Sequence, residues 1–386
     1  MSKLAMNLFE NKEECCGCTA CYSVCPTSAI SMQQDEEGAY YPVIEQSRRI
    51  GCRKCERVCS FKKALKTQDA SSDAPKVYAA RIKDEKELTA SSSGGMFTAL
   101  TDLFLSSGNA VACSVYDTVQ YEVRYVLISS VSERNQARGS KYMKSSLKNI
   151  FSEAQQWLEK NPQKKLLFVG MGCEVDGFRS FAEAKKLRDR VVLADIICHG
   201  GSSQLVWKRY AEYIQEKNRQ KIQSLHFKDK RIDWYHPTPV AAFADQKEVS
   251  VKQYVKLFNS ACAYRPSCYQ CPYATIHRSS DITIGDFWGV EKVLPAFYHP
   301  KGNSLVLVHT AAGAEVFEKI KPVIDWEESN AEDCLQENLI HPTRRPSGRD
   351  AFWRCFRERG IKEVLRVYGN VSVTAKIKKR LNKLFH

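Results

Sequence analysis

Cys15, Cys18, Cys21 and Cys25, with Pro26 behind them, form the run C-x2-C-x2-C-x3-C-P. Thiolates at this spacing wrap one face of a cubane iron–sulfur cluster from a tight loop, and the last, at a helix start, reaches a second cluster. A one-residue change in the spacing breaks that geometry. The run therefore favours an iron–sulfur site over a zinc knuckle or structural thiols. Half of it recurs: Cys52, Cys55 and Cys59 read C-x2-C-x3-C, and Arg49 stands where a full run carries its first cysteine.

In two-cluster ferredoxins the last cysteine of each run crosses to the other cluster. The same crossing here gives one complete 4Fe-4S site, Cys15, Cys18, Cys21 and Cys59, and an irregular second one, Cys25, Cys52 and Cys55, short of one ligand. Four readings of the second stay open: a three-iron cluster, a non-cysteine ligand, recruitment of Cys16, or no cluster. An arginine beside it favours the more reduced, more negative state of a cluster.

A third group, Cys262, Cys268 and Cys271, reads C-x5-C-x2-C and is followed by Pro272. Such a site needs a fourth ligand. Cys198 or Cys173 would complete another 4Fe-4S cluster, whereas His277 would complete a Cys3His zinc site. The iron–sulfur spacing elsewhere in the chain favours the cluster. Cys113, Cys334 and Cys355 stand alone and read as inert thiols.

The elements that must position these cysteines follow from the rest of the pattern. At 386 residues the chain exceeds a ferredoxin and implies two or three domains. Residues 1–61 form the ferredoxin-like unit, and the polar stretch 62–76 is a linker. From Val77 onward short apolar runs alternate with helical patterns, which predicts an α/β fold. Strands are expected at 77–81, 110–116, 123–128, 165–169, 191–198, 222–227, 240–244, 281–285 and 305–309. Helices are expected from Met96 and over 203–218. Cys173 and Cys198 fall where strands end and glycine-bearing loops begin, the edge that lines ligand crevices in open α/β sheets. Ser93-Gly94-Gly95 opens the first of these helices, a place that suits an anion such as phosphate, although glycines there also serve packing.

Eight of the sixteen cysteines lie in the first 60 residues, and the opening MSKLAMNLFENKEE lacks an apolar export core. Metal-spaced thiols without a leader or a membrane span point to the cytoplasm. The net charge is +14, and residues 341–386 hold 13 Lys or Arg against three Asp or Glu. No nucleic-acid module accompanies this charge, so nucleic acid is not expected as a partner. Ile377, Leu381, Leu384 and Phe385 share one face of a basic helix within the tail 346–386. That helix suits packing, an acidic redox protein, or a peripheral contact with the anionic inner face of the membrane.

Five segments read together carry a specific resemblance: SSSGGMFTAL at 91–100, GSKYMKSSL at 139–147, VGMGCEVDGFRSF at 169–181, DIICHGGSS at 195–203, and RPSCYQCPYATIHRSSDITIGDFWGVEKVLP at 265–295. The stretch 77–345 resembles the family of coenzyme F(420) hydrogenase/dehydrogenase beta subunits. The chain departs from the family pattern at Met171, Gly172 and Glu174 and again at Gly201-Ser202, and the resemblance does not identify the deazaflavin as substrate. It implies FAD and one 4Fe-4S cluster in the large domain, with Ser93, Gly94, Gly95, Ser140 and Lys141 at the flavin and Cys262, Cys268 and Cys271 at the cluster. The expected architecture is thus a two-cluster ferredoxin-like α+β unit followed by a larger mixed α/β flavin and iron–sulfur domain.

Flavin exchanges electron pairs with a small molecule and single electrons with clusters. The chain therefore reads as an iron–sulfur flavoprotein oxidoreductase linking an unknown small-molecule substrate to a ferredoxin-like redox partner. The alternatives are a non-catalytic electron-transfer subunit and a metal-stabilised interaction protein. Cys198 is the candidate fourth ligand. His199 is the candidate proton donor, although a hydrogen bond that merely orients its loop explains it equally well.

Overall fold

The structure, a computed structural model, describes residues 8–66 and 74–369. Its strands are β1 Ile30–Gln34, β2 Tyr40–Ile44, β3 Lys76–Ile82, β4 Ala110–Asp117, β5 Glu122–Ile128, β6 Leu166–Met171, β7 Val191–Ile196, β8 Ile222–Asp229, β9 Thr238–Phe243, β10 Glu248–Ser250, β11 Ile282–Asp286, β12 Ser304–Val308 and β13 Ile324–Ser329. Eight of them form one mixed sheet in the order β13-β3-β12-β11-β7-β6-β4-β5. Its middle is parallel, β11 on β7, β7 on β6 and β6 on β4. The flanks are antiparallel.

The central strands are apolar on both faces (LLFV in β6, VVLA in β7), as a sheet covered on two sides requires. One face carries the helices Met96–Ser106 and Ala311–Ile320 over Leu100, Phe104, Val306 and Phe317. The other carries Ile150–Lys160 and Gly172–Ala184 over Phe151, Phe168, Phe178 and Phe181. Cys16, Cys18, Val24, Val58 and Phe61 belong to this second core. The ferredoxin-like unit is therefore built onto the sheet domain and is not a bead on a linker.

That closeness has a local cause. A Cβ placed at Gly177 would lie 2.7 Å from both Cβ and Sγ of Cys18, so only glycine on this helix admits the cysteine loop. A third core joins the β10-β9-β8 sheet to the helices Gln204–Asn218, Lys252–Asn259 and Arg349–Val367 around Trp207, Tyr254, Phe352 and Trp353. The first part of the basic tail is thus a packed helix. The amphipathic pattern at Ile377, Leu381, Leu384 and Phe385 lies outside the described residues.

The β1–β2 hairpin has no sequence-level expectation because its burial hardly alternates. Asp35 builds its turn, accepting from the N–H groups of Glu37 at 3.0 Å and Ala39 at 2.9 Å. The tip then lodges on the third core, where Arg349 pairs with Glu37 in bidentate fashion and Ser203 donates to the Glu37 carbonyl at 2.6 Å. Among the described residues no helix is long and apolar enough to cross a membrane.

Candidate functional site

The two cysteine loops of the N-terminal unit share one local conformation at an offset of 34 residues. Gly17 and Thr19 around Cys18 have φ of 72° and 66°, and Gly51 and Arg53 around Cys52 have 69° and 55°. Short helices follow, Ala20–Ser23 with Cys21 and Lys54–Arg57 with Cys55. In this repeat Cys15 corresponds to Arg49, which turns to Glu56 at 3.9 Å.

The thiols of the two loops act on one another's charge, and Cys55 also contributes to Cys21. Burial, then Cys15 and Cys59, raise the pKa of Cys21 well above the ordinary value. Burial and Cys15 likewise raise Cys59. Burial, with Cys25 among the weaker causes, raises Cys55. Cys25 moves the other way: burial raises its pKa, but the Thr27, Ala29 and Ile30 donors outweigh it, with the Ala29 N–H 3.3 Å from its sulfur.

Cys16 turns away from the second group. It is buried, and its Sγ lies 3.9 Å from the carbonyl of Cys173 in the large domain. It is therefore not placed to replace the missing ligand of Cys25, Cys52 and Cys55.

A further cysteine group meets at the carboxyl ends of the parallel strands. Strand β6 runs directly into the Gly172–Ala184 helix, which puts Cys173 in its first turn where a loop was expected. Cys198 follows β7 in the adjacent loop. Cys268 and Cys271 come from the turn Pro266–Gln270 and its end. Burial, then Cys268, Cys173 and Cys271, raise the pKa of Cys198. Burial, then Cys173 and Cys268, push Cys271 up to about 12. Four half-buried thiols that disfavour one another's charge suit a cationic iron centre that neutralises them.

Cys262, expected beside Cys268 and Cys271, is elsewhere. It is buried in the third core, and burial, Ser260 and Arg349 set its pKa rather than the other cysteines. Ala261, with φ 56°, ends the Lys252–Asn259 helix and turns Cys262 inward. His277, the candidate zinc ligand, donates its backbone N–H to Thr275 at 3.2 Å. Among the described residues no three Cys, His, Asp or Glu side chains converge as ligands of a single metal ion do.

Two cations join the cysteine groups. Arg265 is buried; its Nε donates to the Cys15 carbonyl at 2.7 Å and its Nη2 reaches Cys15 Sγ at 3.6 Å. The Arg265 carbonyl accepts from Cys268 N–H at 2.9 Å, so one residue touches a cysteine of each group. Lys144 Nζ lies 2.5 Å from the buried Glu174 and 3.9 Å from Cys173 Sγ. Cys173, Glu174 and Cys16 keep its pKa raised against the opposing effect of burial.

Above Cys198 opens a cavity of about 1000 Å³, lined by the ends of β6, β7 and β11. Ser93, Ser140, Lys141 and His199 line it, and Gly94 and Gly95 do not. A Cβ on Gly94 would lie 2.3 Å from the Ala80 carbonyl and one on Gly95 2.8 Å from Ile82, so these glycines serve helix–sheet packing. Ser140 N–H donates to Ser92 Oγ at 3.0 Å, which knits the two serine loops together. Lys141 points its ammonium at the Ala137 and Arg138 carbonyls, and burial lowers its pKa to about 8. His199 sits on the cavity wall, where loss of bulk water and then Lys228 lower its pKa.

A second set of residues on and behind the wall was not singled out in the sequence, although Asp286 and Trp288 lie in the quoted segment 265–295. Asp286 at the end of β11 takes Lys228, Ser93 at 2.6 Å and Trp234 Nε1 at 2.8 Å. Trp234 stacks on Trp288 at 4.8 Å. Arg138, Arg344 and Arg345 also line the cavity and give it a cationic rim.

Cysteines at cluster spacing and a cavity at the carboxyl edge of a mixed sheet define an iron–sulfur protein of the oxidoreductase class. Comparison with known proteins narrows the class. Residues 77–151 and 163–333 match the N-terminal and C-terminal models of the coenzyme F420 hydrogenase/dehydrogenase beta subunit, and residues 14–76 match a 4Fe-4S dicluster domain. The chain belongs to the family of coenzyme F(420) hydrogenase/dehydrogenase beta subunits, with a 4Fe-4S domain at its N-terminal side. It is 21% identical over 321 residues to one of the subunits of the F(420)H(2) dehydrogenase of Methanosarcina mazei, covering 80% of this chain and 82% of that one. It is 40% identical over 38 residues to an uncharacterised ferredoxin of Methanocaldococcus jannaschii, 10% of this chain and 49% of that one. A chain of the F(420)-reducing NiFe hydrogenase complex from Methanosarcina barkeri aligns with 16% identity and a TM-score of 0.46, over 78% of this chain and 93% of that chain.

Proposed function

We propose that this protein is a flavin-dependent iron–sulfur electron-transfer subunit. In this reading a two-electron donor or acceptor reacts in the cavity beneath Arg344 and Arg345, and single electrons leave through the cysteine groups to a redox protein. The observation that carries the proposal is the closeness of Cys173, Cys268 and Cys271 to Cys198, which lines that cavity, with Cys16 and Arg265 leading on to Cys15.

Cys15, Cys18, Cys21 and Cys59 would hold one N-terminal 4Fe-4S cluster. Cys25, Cys52 and Cys55 would hold the irregular one. The four cysteines of the large domain would hold a third, with Cys173 in place of Cys262. FAD fits the cavity by size and by charge, since its walls offer serine hydroxyls and a cationic rim to an anionic diphosphate. When bound, flavin supplies the exchange between electron pairs and single electrons.

The residues of this chain do the rest. The Ser91–Ser93 and Gly139–Lys141 loops orient the ligand, Trp288, backed by the buried Trp234, excludes water from one wall, and the Lys144–Glu174 pair fixes the charge between cavity and cysteines. His199 stands on the wall as the candidate proton donor.

The test is a cofactor inventory of the anaerobically purified full chain: iron, sulfide, zinc and acid-extracted flavin. Flavin together with iron supports the proposal, and filling the cavity by Ser140→Trp should then lower flavin content without lowering iron. Iron without flavin would leave the second reading, a flavin-free relay subunit, which the relative from Methanosarcina mazei, itself one subunit of a dehydrogenase, also favours.

A further inference from the structure

We propose that the basic face around Cys25, Cys52 and Cys55 is the docking surface for a small acidic one-electron carrier protein; this rests on the iron–sulfur reading of the N-terminal unit. Residues 48–66 hold eight Lys or Arg and one acidic residue, Glu56. Glu56 is shared by Arg53 at 2.7 Å and Arg49 at 3.9 Å, and from outside the stretch Glu45 faces Arg48 at 3.8 Å and Glu14 faces Lys62 at 3.3 Å, so basic groups outnumber the carboxylates on this face. Arg48, Arg53, Lys54 and Arg57 are exposed. In their midst Ile50, between Arg49 and Gly51, is 65% exposed. A protruding aliphatic side chain in a predominantly basic surround has the anatomy of a recognition surface: an apolar contact at its centre and a charged rim.

The position of this face in the relay is the second, independent observation. Cys16 and Cys18 are buried against the large domain, and Arg265 ties Cys15 to it. Cys25, Cys52 and Cys55 are half-buried like Cys15, but among the described residues no bond ties them to the large domain, and Cys52 and Cys55 flank the exposed Arg53 and Lys54. The relay has an inward end at Cys15 and an outward end at Cys52 and Cys55. Electrons that enter or leave by protein contact cross the outward end.

In one encounter the carrier's centre loses one electron and the cysteine-held centre gains it, or the reverse; no bond forms and no proton is required to move. A small, charge-steered interface suits such a brief encounter, because long-range attraction speeds association without demanding a large buried area.

The test uses the anaerobically purified full chain and, as probes, a small acidic two-cluster ferredoxin and an acidic flavodoxin. Binding is read by calorimetry and electron transfer by stopped-flow absorbance, each as a function of salt. Arg48→Glu with Lys54→Glu should weaken binding and slow transfer about tenfold at low ionic strength, the difference vanishing at high salt. The neutral pair Arg48→Gln with Lys54→Gln should fall between, and Lys217→Glu with Lys252→Glu, in the third core's helices, should change neither quantity. Binding and rates unchanged in the charge-reversed form, with its reduced-state electron paramagnetic resonance signals intact, would overturn the docking surface. Absence of those signals in the unmodified chain would instead overturn the iron–sulfur reading.

Discussion

Replacing Arg265 should shift the redox potential of the centre held by Cys15 and leave its ligands in place. The guanidinium Nη2 lies 3.6 Å from Cys15 Sγ. At an effective dielectric constant of about 20, a unit charge at that distance interacts by at most about 5 kcal/mol. At 59 mV per pKa-unit equivalent for one electron, this sets a ceiling of about 200 mV. An added electron spreads over a whole cluster, further from the guanidinium than this sulfur, so roughly 50–150 mV is expected. The sign follows from charge: removing a cation beside a group that gains an electron makes reduction harder, so Arg265→Gln lowers the potential. Arg265→Lys keeps the charge and should shift it much less, although it loses the planar fork that serves both the Cys15 and Tyr40 carbonyls. The assay is potentiometric titration of the full chain followed by electron paramagnetic resonance, with iron content measured on the same samples. An Arg265→Gln potential within about 20 mV of the unmodified chain at equal iron, or an equal shift in Arg265→Lys, would refute the electrostatic reasoning.

Serine at Cys173, Cys198, Cys268 or Cys271 should lower iron content by one cluster's worth, whereas Cys262→Ser should keep all the iron and cost only stability, measured by iron assay beside chemical denaturation. Gly177→Ala should release iron from the N-terminal unit, because the new methyl occupies the place of Cys18; the loss should appear in the resonance of that centre before it appears in overall fold. Glu37→Ala leaves the buried Arg349 without its carboxylate, with only the Tyr269 hydroxyl and Tyr264 carbonyl as acceptors, and should destabilise the chain by up to about 3–5 kcal/mol in denaturant titration. The double change Glu37→Leu with Arg349→Met should recover much of that loss.

What the sequence disclosed and what it withheld have physical reasons. Cluster spacing is local: a few residues of chain determine where three thiols can point, so the cysteine run announced the 4Fe-4S domain matched over residues 14–76. The apolar strands of the central sheet were legible because burial on both faces writes an uninterrupted apolar run. The partner of Cys268 and Cys271 was not, because nearness in sequence competes with a helix end. Ala261, in the left-handed region, sends Cys262 into the third core. Adjacent parallel strands place Cys173 near Cys271, and in the proposed reading it takes the ligand position expected of Cys262. In the serine–glycine loop the two readings offered by the sequence fall on different residues. Gly94 and Gly95 are required by the close approach of Ala80 and Ile82, so the glycines mark packing while the neighbouring serines face the cavity. The shared core was hidden for a different reason, since it joins residues from both sides of the polar stretch that follows the cysteine runs. Phe61 and Val58 complete an apolar surface that Phe168, Phe178 and Tyr273 begin, so the folding of either part depends on the other. For a relay this dependence matters, since the same packing that stabilises the junction holds Cys16 against Cys173 and Arg265 against Cys15. A chain that buried these contacts less well would lose the path between its two cysteine groups before it lost either group.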